Sequence, residues 1–252
     1  MPNGKGSVVL ITGCNGGIGK VLCREFTAAG YKVIGTDFHP VKNAECDLYF
    51  SCDLAELSSD DFIQTKFRDV VSVFLEGQLT KLAAIINNAA VQITGPLEKL
   101  SVSDFQLSLQ VNVVAPFVLA KLFDSPLRQA SGALINIGSI HSRLTKPEFS
   151  AYSTSKTALS GLTRALALEF AGDVTVNTIS PAATKTDMLL EGFKGRQEKY
   201  NELGAYHPAG RIAEPEEIAR LALFLCSEHA RFITGADLPI DGGIGGRLHD
   251  PV

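Results

Sequence analysis

Hydrophobic residues in this chain occur in short, nearly continuous runs rather than in strict alternation with polar ones. Five runs rich in β-branched residues fall at 8–11, 32–35, 82–86, 133–137 and 174–179. A strand with one face in solvent alternates apolar and polar positions, whereas a strand covered on both faces of a parallel sheet does not need to. The pattern therefore predicts a buried parallel sheet.

Amphipathic segments separate these runs. Ile18, Leu22 and Phe26 follow the first run at helical spacing, and a similar series occurs at 218–225. Repeated alternation of strand and helix is typical of the doubly wound α/β fold, in which helices cover both faces of the sheet. We expect a single-domain Rossmann fold of about seven strands over residues 1–252, a length that supports one sizeable core.

The segment 188–210 interrupts this alternation. It is polar and rich in glycine, and it separates two well-defined predicted elements. Long segments of this kind in compact domains are usually functional. We interpret it as a mobile substrate-binding segment within the domain, with short helices; an ordinary long loop is the alternative.

Composition and charge exclude several classes of partner. The chain has 27 acidic and 23 basic residues, a net charge of -4, and its basic residues are scattered. We therefore expect neither nucleic acid nor an anionic membrane as a partner. The first apolar run is too short for a signal-peptide core, which favours a cytoplasmic location. The five cysteines lack metal-ligand spacing, so neither a disulfide framework nor a metal site is expected.

A glycine-rich turn follows the first predicted strand, with the sequence T-G-C-N-G-G-I-G from Thr12 to Gly19. Glycines permit a tight turn, let backbone N–H groups approach a pyrophosphate, and let the following helix pack closely with its positive end facing the anion. In this position the turn predicts a dinucleotide site, and a purely structural turn is the alternative. Cys14 lies inside this turn.

The second predicted strand ends at Asp37, eighteen residues after Gly19. A carboxylate at this place accepts hydrogen bonds from the adenosine ribose and repels a 2′-phosphate. This favours NAD over NADP. The nearby Lys42 leaves some use of NADP open, and an aspartate that only forms a turn is a further alternative.

The spacing T-G-x-x-x-G-x-G resembles the short-chain dehydrogenase/reductase family, in its compact subgroup. Later segments agree in order over nearly the whole chain. They are Asp53 in C-D-L, the N-N-A-A segment at 87–90, Asn112, Ser139, the Y-x-x-x-K pair Tyr152 and Lys156, the segment 180–186 and a closing strand at 233–243. Ala90 and Ala182 stand where the family usually has glycine.

This resemblance implies an NAD(H)-dependent oxidoreductase that transfers hydride between nicotinamide and a small secondary alcohol or ketone. The implied catalytic residues are Asn112, Ser139, Tyr152 and Lys156. The implied cofactor-binding residues are Gly13, Asn15, Gly16, Gly17, Ile18, Gly19, Asp37, Asp53, Leu54, Asn88, Ala89, Ala90, Tyr152, Lys156, Pro181, Ala182, Thr184 and Thr186. The resemblance also implies a homodimer or homotetramer, formed by helices expected at 102–123 and 151–170.

The chemistry explains why these residue types are needed. Oxidation of an alcohol requires a base within hydrogen-bond reach of its hydroxyl. A free tyrosine has a pKa of about 10, so Tyr152 needs a nearby cation to act near neutral pH. Lys156 lies four residues further on, one helical turn away on the same face. The resemblance adds that Lys156 also holds the nicotinamide ribose, and that Asn112 holds a water that leads protons to solvent; a role for Asn112 in a helix bulge is the alternative.

Substrate contacts are expected from the catalytic residues Ser139 and Tyr152. His141 is a third candidate because it lies two residues beyond Ser139. Arg143, Lys146 and the segment 188–210 are candidates for a charge that selects an anionic substrate, and the tail from Arg247 to Val252 adds to the shape of the pocket. Two alternatives remain open: other chemistry on the same fold, such as an epimerase, dehydratase or enoyl reductase, and a non-catalytic NAD sensor.

Overall fold

A seven-stranded parallel sheet forms the centre of the molecule. The computed structural model describes residues 6–78 and 80–247, and the expected contribution of the tail at 248–252 lies outside them. The strand order is β3-β2-β1-β4-β5-β6-β7. The strands are β1 (Ser7–Thr12), β2 (Lys32–Asp37), β3 (Leu48–Ser51), β4 (Lys81–Asn87), β5 (Ala133–Ile137), β6 (Thr175–Pro181) and β7 (Asp237–Ile240). The predicted doubly wound fold is confirmed.

Helices cover both faces of this sheet. They are α1 (Gly17–Ala28), α2 (Leu54–Leu57), α3 (Asp61–Gln78), α4 (Val102–Leu109), α5 (Ala115–Leu122), α6 (Asp124–Gln129), α7 (Ser150–Glu169), α8 (Asp187–Gly192), α9 (Gln197–Tyr206) and α10 (Pro215–Leu225). The segment 188–210 thus contains most of α8 and all of α9, in agreement with the short helices expected there.

Two apolar layers hold the fold together, because successive side chains of a strand point to opposite faces. On one face, Val8 and Leu10 of β1 pack in a layer with residues of α3, α5 and α7. On the other, Val9 and Ile11 pack with residues of α1 and α10. The near-continuous apolar runs are therefore explained by burial of both faces.

The helix expected at 102–123 is not a regular α-helix. Its first part, α4, begins with a capping box in which Ser101 and Asp104 bond reciprocally. A π-helical turn at Gln110–Val114 then separates α4 from α5. The stretch Val102–Leu122 is long and apolar enough to cross a membrane, with a mean hydropathy of 1.4, but 44% of it is buried inside this fold, as in the core helix of a globular domain. The bulge in the helix is a feature that periodicity did not predict.

The strand order reverses at β1. From β1 the chain continues outward to β2 and β3, and from β4 it continues outward in the other direction to β7. In open α/β sheets, ligands bind in the crevice beyond the carboxyl ends of the strands at such a reversal. The residues that follow β1 and β4 therefore mark the place for a binding site.

Candidate active site

A cavity of about 1440 Å³ opens beyond the carboxyl ends of the strands. It is lined by every predicted cofactor and catalytic residue except Gly19 and Asn112, and also by the predicted substrate contact His141. Residues that lie far apart in the sequence meet here because parallel strands all end at the same edge of the sheet.

The glycine-rich turn packs against the segment after β4. Gly13 adopts a positive φ of 63°, and a Cβ added there would lie 2.7 Å from Ala89 Cα. A Cβ added at Gly19 would lie 2.0 Å from Gly13 O. Gly13 and Gly19 are thus required by the turn itself. Gly19 is buried below the turn, while Gly16 and Gly17 line the cavity at the N-terminus of α1.

Hydrogen bonds join the turn to the segment after β4. Asn88 Nδ2 donates to Thr12 O at 3.0 Å and to Gly13 O at 2.9 Å. Thr12 Oγ1 accepts from the backbone N–H groups of Asn88 and Ala89, both at 3.1 Å. Asn88 and Ala89 therefore fix the turn as well as lining the cavity, and Cys14 points into the core below it.

Asp37 lies at the end of β2 on the cavity wall. Its carboxylate accepts from Asn15 N at 3.0 Å and from His39 N at 3.2 Å. The side chain of Asn15 bonds to Val41 O at 2.9 Å and accepts from Asn43 N at 2.8 Å, so it anchors the loop after β2. The carboxylate of Asp37 is therefore held at the rim of the cavity, as the sequence predicted.

Lys42 does not line the cavity among the described residues. Its Nζ donates to Cys46 O at 2.5 Å, so this ammonium is engaged elsewhere on the loop after β2. The cation that would have favoured NADP is thus directed away from Asp37.

Two further polar groups frame the cofactor end of the cavity. Asp53 caps α2 by accepting from Ala55 N at 2.8 Å, and Leu54 follows it on the wall. Thr186 caps α8 by accepting from Leu189 N at 3.3 Å. A Cβ added at Gly17 would lie 2.8 Å from Thr186 Cβ, so the segment after β6 closely approaches the glycine-rich turn.

Tyr152 and Lys156 lie one turn apart on α7, as their spacing predicted. Lys156 Nζ lies 5.7 Å from the centroid of the Tyr152 ring and donates to Ile137 O at 2.7 Å. The lysine is only 2% exposed. An ammonium buried next to a phenol ring is costly for stability, and this is the kind of arrangement that occurs at functional sites.

The pKa of Tyr152 differs from the sequence expectation. Burial raises it above its usual value, and a hydrogen bond with Ser139 acts in the opposite direction. Burial also lowers the pKa of Lys156 to about 8. Without further positive charge in the cavity, the protein alone does not make Tyr152 a base at neutral pH, because removal from water disfavours both the phenolate and the ammonium.

Ser139 and His141 form the adjoining wall. Ser139 follows β5 and caps the short turn Ile140–Ser142, where its Oγ accepts from His141 N at 3.2 Å. The Ser139 hydroxyl proton is therefore available to Tyr152 or to a bound oxygen. The His141 ring lies edge-on to the Tyr152 ring, with centroids 5.9 Å apart, and stacks on Phe149 at 4.4 Å.

Asn112 lies in the π-helical turn behind this wall. Its Oδ1 accepts from Val91 N, and its Nδ2 donates to Val91 O and Ser155 Oγ, all at 2.9 Å. Both amide protons of the side chain are thus engaged in joining three elements, which agrees with the helix-bulge role. Binding of a water by Asn112 stays a prediction.

The sequence did not point to a buried polar ladder beneath the site. Asn87 Nδ2 donates to Asn136 Oδ1 at 2.8 Å, Asn136 Nδ2 donates to Thr163 Oγ1 at 2.8 Å, and Thr163 contacts Thr178 at 2.7 Å. This ladder joins β4, β5, α7 and β6. The signal that was available is the presence of polar residues inside apolar runs, such as Asn136 in β5.

The site fits a nicotinamide dinucleotide. Gly16 and Gly17 line the cavity at the N-terminus of α1, the first turn of that helix carries no acidic residue, and Asp37 stands at the rim where a ribose diol needs an acceptor. Lys156 and Tyr152 line the same cavity and would supply donors to a second ribose and to a substrate oxygen.

Comparisons with known proteins agree with this geometry. A family model described as Enoyl-(Acyl carrier protein) reductase matches residues 13–245. Protein FixR of Bradyrhizobium diazoefficiens is 34% identical over an alignment 256 positions long, which covers 95% of this chain and 87% of FixR. An acetoacetyl-CoA reductase of Acinetobacter is 30% identical over 250 residues, which cover 94% and 97% of the two chains.

Solved structures show the same fold. The aldohexose dehydrogenase of Thermoplasma acidophilum superimposes with a TM-score of 0.89 at 26% identity, covering 98% of this chain and 97% of that one. A candidate NAD(P)-dependent gluconate 5-dehydrogenase of Beutenbergia cavernae, with bound NADP, gives 0.83 at 28% identity and covers 97% and 99%. The family match, the relatives and the fold together show that this chain belongs to the short-chain dehydrogenase/reductase family of oxidoreductases.

Proposed function

We propose that this protein is an NAD(H)-dependent dehydrogenase that interconverts a small secondary alcohol and its ketone, with Tyr152 as the general acid and base. The observation that carries the proposal is the buried Lys156 ammonium beside the Tyr152 ring, on a cavity wall shared with Ser139. Such a group is costly to bury and is explained by chemistry at the phenol oxygen.

In the oxidation direction, the substrate hydroxyl gives its proton to the Tyr152 phenolate. The carbinol C–H bond breaks, its hydrogen leaves with two electrons, and the C–O bond becomes a carbonyl. A bound oxidised nicotinamide would supply the acceptor for this hydride, and its positive charge would be present in the cavity while Tyr152 takes the proton. Ser139 stabilises the negative charge that develops on the substrate oxygen by donating its hydroxyl proton. Reduction reverses these steps.

Lys156 has two tasks in this mechanism. Its ammonium favours the phenolate of Tyr152 over the neutral phenol by charge, and its donors hold the hydroxyl groups of the nicotinamide ribose. Because burial raises the pKa of Tyr152, the phenolate needs Lys156 in its charged form together with the oxidised cofactor. The base is thus generated mainly when the cofactor is present.

The preference for NAD rests on Asp37. Its carboxylate at the cavity rim would bond to the ribose hydroxyls and would repel a 2′-phosphate, and Lys42 is turned away to Cys46 O. A related structure does contain NADP, so measurement of both cofactors is the direct test.

Assembly as a homodimer or homotetramer belongs to the same proposal. The helices expected to form the interface keep large apolar side chains in solvent: Phe117 on α5 is 46% exposed and Leu168 on α7 is 81% exposed. Exposed apolar residues of this size favour burial in an oligomer. Light scattering on the purified protein would measure the mass.

The proposed function is tested by following reduced cofactor with NAD⁺ or NADP⁺ and a panel of secondary alcohols, sugars and hydroxy acids. We expect turnover with NAD⁺ that falls at least about 100-fold in Tyr152→Phe, the scale of general acid–base catalysis. An enoyl thioester with NADH is the contrasting arm, because the matching family model carries an enoyl reductase description. Reduction of that substrate alone, or cofactor binding without turnover, would refute the proposal.

A further inference from the structure

Charge is distributed unevenly along the cavity. Among the described lining residues, the only carboxylates are Asp37 and Asp53, and both lie at the cofactor end near the glycine-rich turn. The lysine and arginine side chains of the described lining are Lys156, which lies beside Tyr152, and two further cations, Lys146 and Arg247. A wall with one sign of charge raises the local concentration of ions of the opposite sign. The substrate end of this cavity therefore attracts anions.

Lys146 is the cation with a defined relation to the reacting group. Its Nζ lies 4.6 Å from the centroid of the Phe149 ring, and that ring lies 6.2 Å from the ring of Tyr152. A cation over a partly exposed ring is held only weakly. Among the described residues Lys146 forms no ion pair, so its ammonium is free to bind an incoming anion.

The other sequence candidates for this charge place no lysine or arginine side chain in the described lining. Arg143 Nη2 donates to Asp237 O at 3.2 Å, which turns its guanidinium towards β7, and Arg143 is absent from the described lining. The segment 188–210 contributes mainly apolar lining, such as Leu189 and Phe193, together with His207. Lys146 is thus the one of the three candidates that the fold brings to the cavity as a cation.

His141 lies beside Tyr152 and stacks on the Phe149 ring that Lys146 also contacts. Burial and the nearby Lys146 lower its pKa, so its ring carries no charge at neutral pH and can donate or accept one hydrogen bond. The Lys146 ammonium therefore supplies charge for an anionic group, while the His141 imidazole supplies a directed hydrogen bond to another polar group of the substrate.

We propose that the substrate is a hydroxy or oxo compound that bears an anionic group, a carboxylate or a phosphate, bound by Lys146 beside the His141–Phe149 stack. The inference rests on the proposed dehydrogenase function and adds the substrate class to it. Lys146 is a specificity residue in this scheme: it binds the part of the substrate that does not react. Arg247, whose Nη1 donates to Tyr206 O at 3.2 Å, is a further cation of the described lining.

The test compares matched substrates. Short 2- and 3-hydroxy acids are each assayed beside their methyl esters, and a hydroxyalkyl phosphate of similar length distinguishes the two anions. We expect kcat/KM to be at least about tenfold higher for one anionic series than for the neutral esters, the factor that one charge-assisted hydrogen bond gives. Equal kcat/KM for acids, phosphates and esters would overturn the inference.

Variants assign the effect to one side chain. Lys146→Met should lower kcat/KM for the anionic substrate about tenfold, mainly through KM, while leaving the ester unchanged, and Lys146→Arg should restore most of the loss. Lys66→Met, which removes an exposed lysine of α3 outside the described lining, is the matched control and should have no effect. Equal losses for acid and ester in Lys146→Met would contradict the role of charge.

A binding experiment separates this inference from the proposed function. Calorimetry with NADH present measures the binding of butyrate, butyl phosphate and neutral butyramide to the wild type and to Lys146→Met. Preference for an anion that disappears in Lys146→Met supports the site even if no alcohol is turned over. Equal affinity for anions and amide refutes the site even if neutral alcohols are oxidised.

Discussion

Removal of the buried ammonium of Lys156 should change the pH dependence of stability in a defined direction. Lys156 is 2% exposed, and burial lowers its pKa from 10.5 to about 8. Between these values the unfolded chain binds more protons than the folded one, so the free energy of unfolding rises with pH. The folded protein is thus penalised below pH 8, and the penalty disappears as the pH approaches 10.5.

The magnitude follows from the linkage relation. Lowering a lysine pKa from 10.5 to about 8 corresponds to about 3 kcal/mol at pH 7, of which about 2–3 kcal/mol is regained by pH 10. Lys156→Met has no such group. The variant also leaves Ile137 O without its 2.7 Å donor, at a cost of about 1–3 kcal/mol that does not depend on pH.

The assay is urea unfolding of the wild type and Lys156→Met at several pH values from 7 to 10. The difference in unfolding free energy should move by about 2–3 kcal/mol in favour of the wild type as the pH rises. Taking this difference removes the contribution that the titrating tyrosines and cysteines, which both proteins share, make to the pH dependence. Lys66→Met controls for the loss of a positive charge. A difference that is independent of pH would refute the buried-ammonium reasoning.

Three further predictions concern other parts of the site. Asp37→Ala should reduce the ratio of kcat/KM for NAD⁺ to kcat/KM for NADP⁺ at least about tenfold. The variant loses both an acceptor for the ribose hydroxyls and the repulsion of a 2′-phosphate. An unchanged ratio would argue against the role of Asp37 in cofactor choice. Gly13→Ala should lower the free energy of unfolding by at least about 2 kcal/mol and weaken NADH binding in calorimetry. The reason is that the added Cβ would lie 2.7 Å from Ala89 Cα, at a residue whose φ is 63°. An unchanged free energy of unfolding would contradict the requirement for glycine at this position. Asn112→Ala should lower the free energy of unfolding in urea by about 2–5 kcal/mol, since it leaves both backbone groups of Val91 unpaired. A loss of activity without loss of stability would instead favour a direct role of Asn112 in proton transfer.

The sequence predicted most of the fold because burial on both faces of a parallel sheet leaves a strong local signal. The runs at 8–11 and 133–137 became β1 and β5 within two residues of the expected ends. The short strand β3, Leu48–Ser51, has a weaker run of apolar residues than the other strands, since it lies at the sheet edge and is only half-buried. Its existence followed from the family resemblance rather than from periodicity.

The order of the motifs and the chemical types of residue at the site follow from local patterns along the chain: a glycine-rich turn after β1, an acid at the end of β2, and a tyrosine and lysine one helical turn apart. The surroundings of these residues depend instead on how distant elements pack. Arg143 and Lys146 are indistinguishable as sequence candidates, yet one bonds to the backbone at Asp237 and the other meets the cavity. The three hydrogen bonds of Asn112 likewise join residues far apart in the chain. The raised pKa of Tyr152 also comes from tertiary packing. Spacing along a helix fixes which residues are neighbours. The exclusion of water from both the phenol and the ammonium depends on the packing of every element around them.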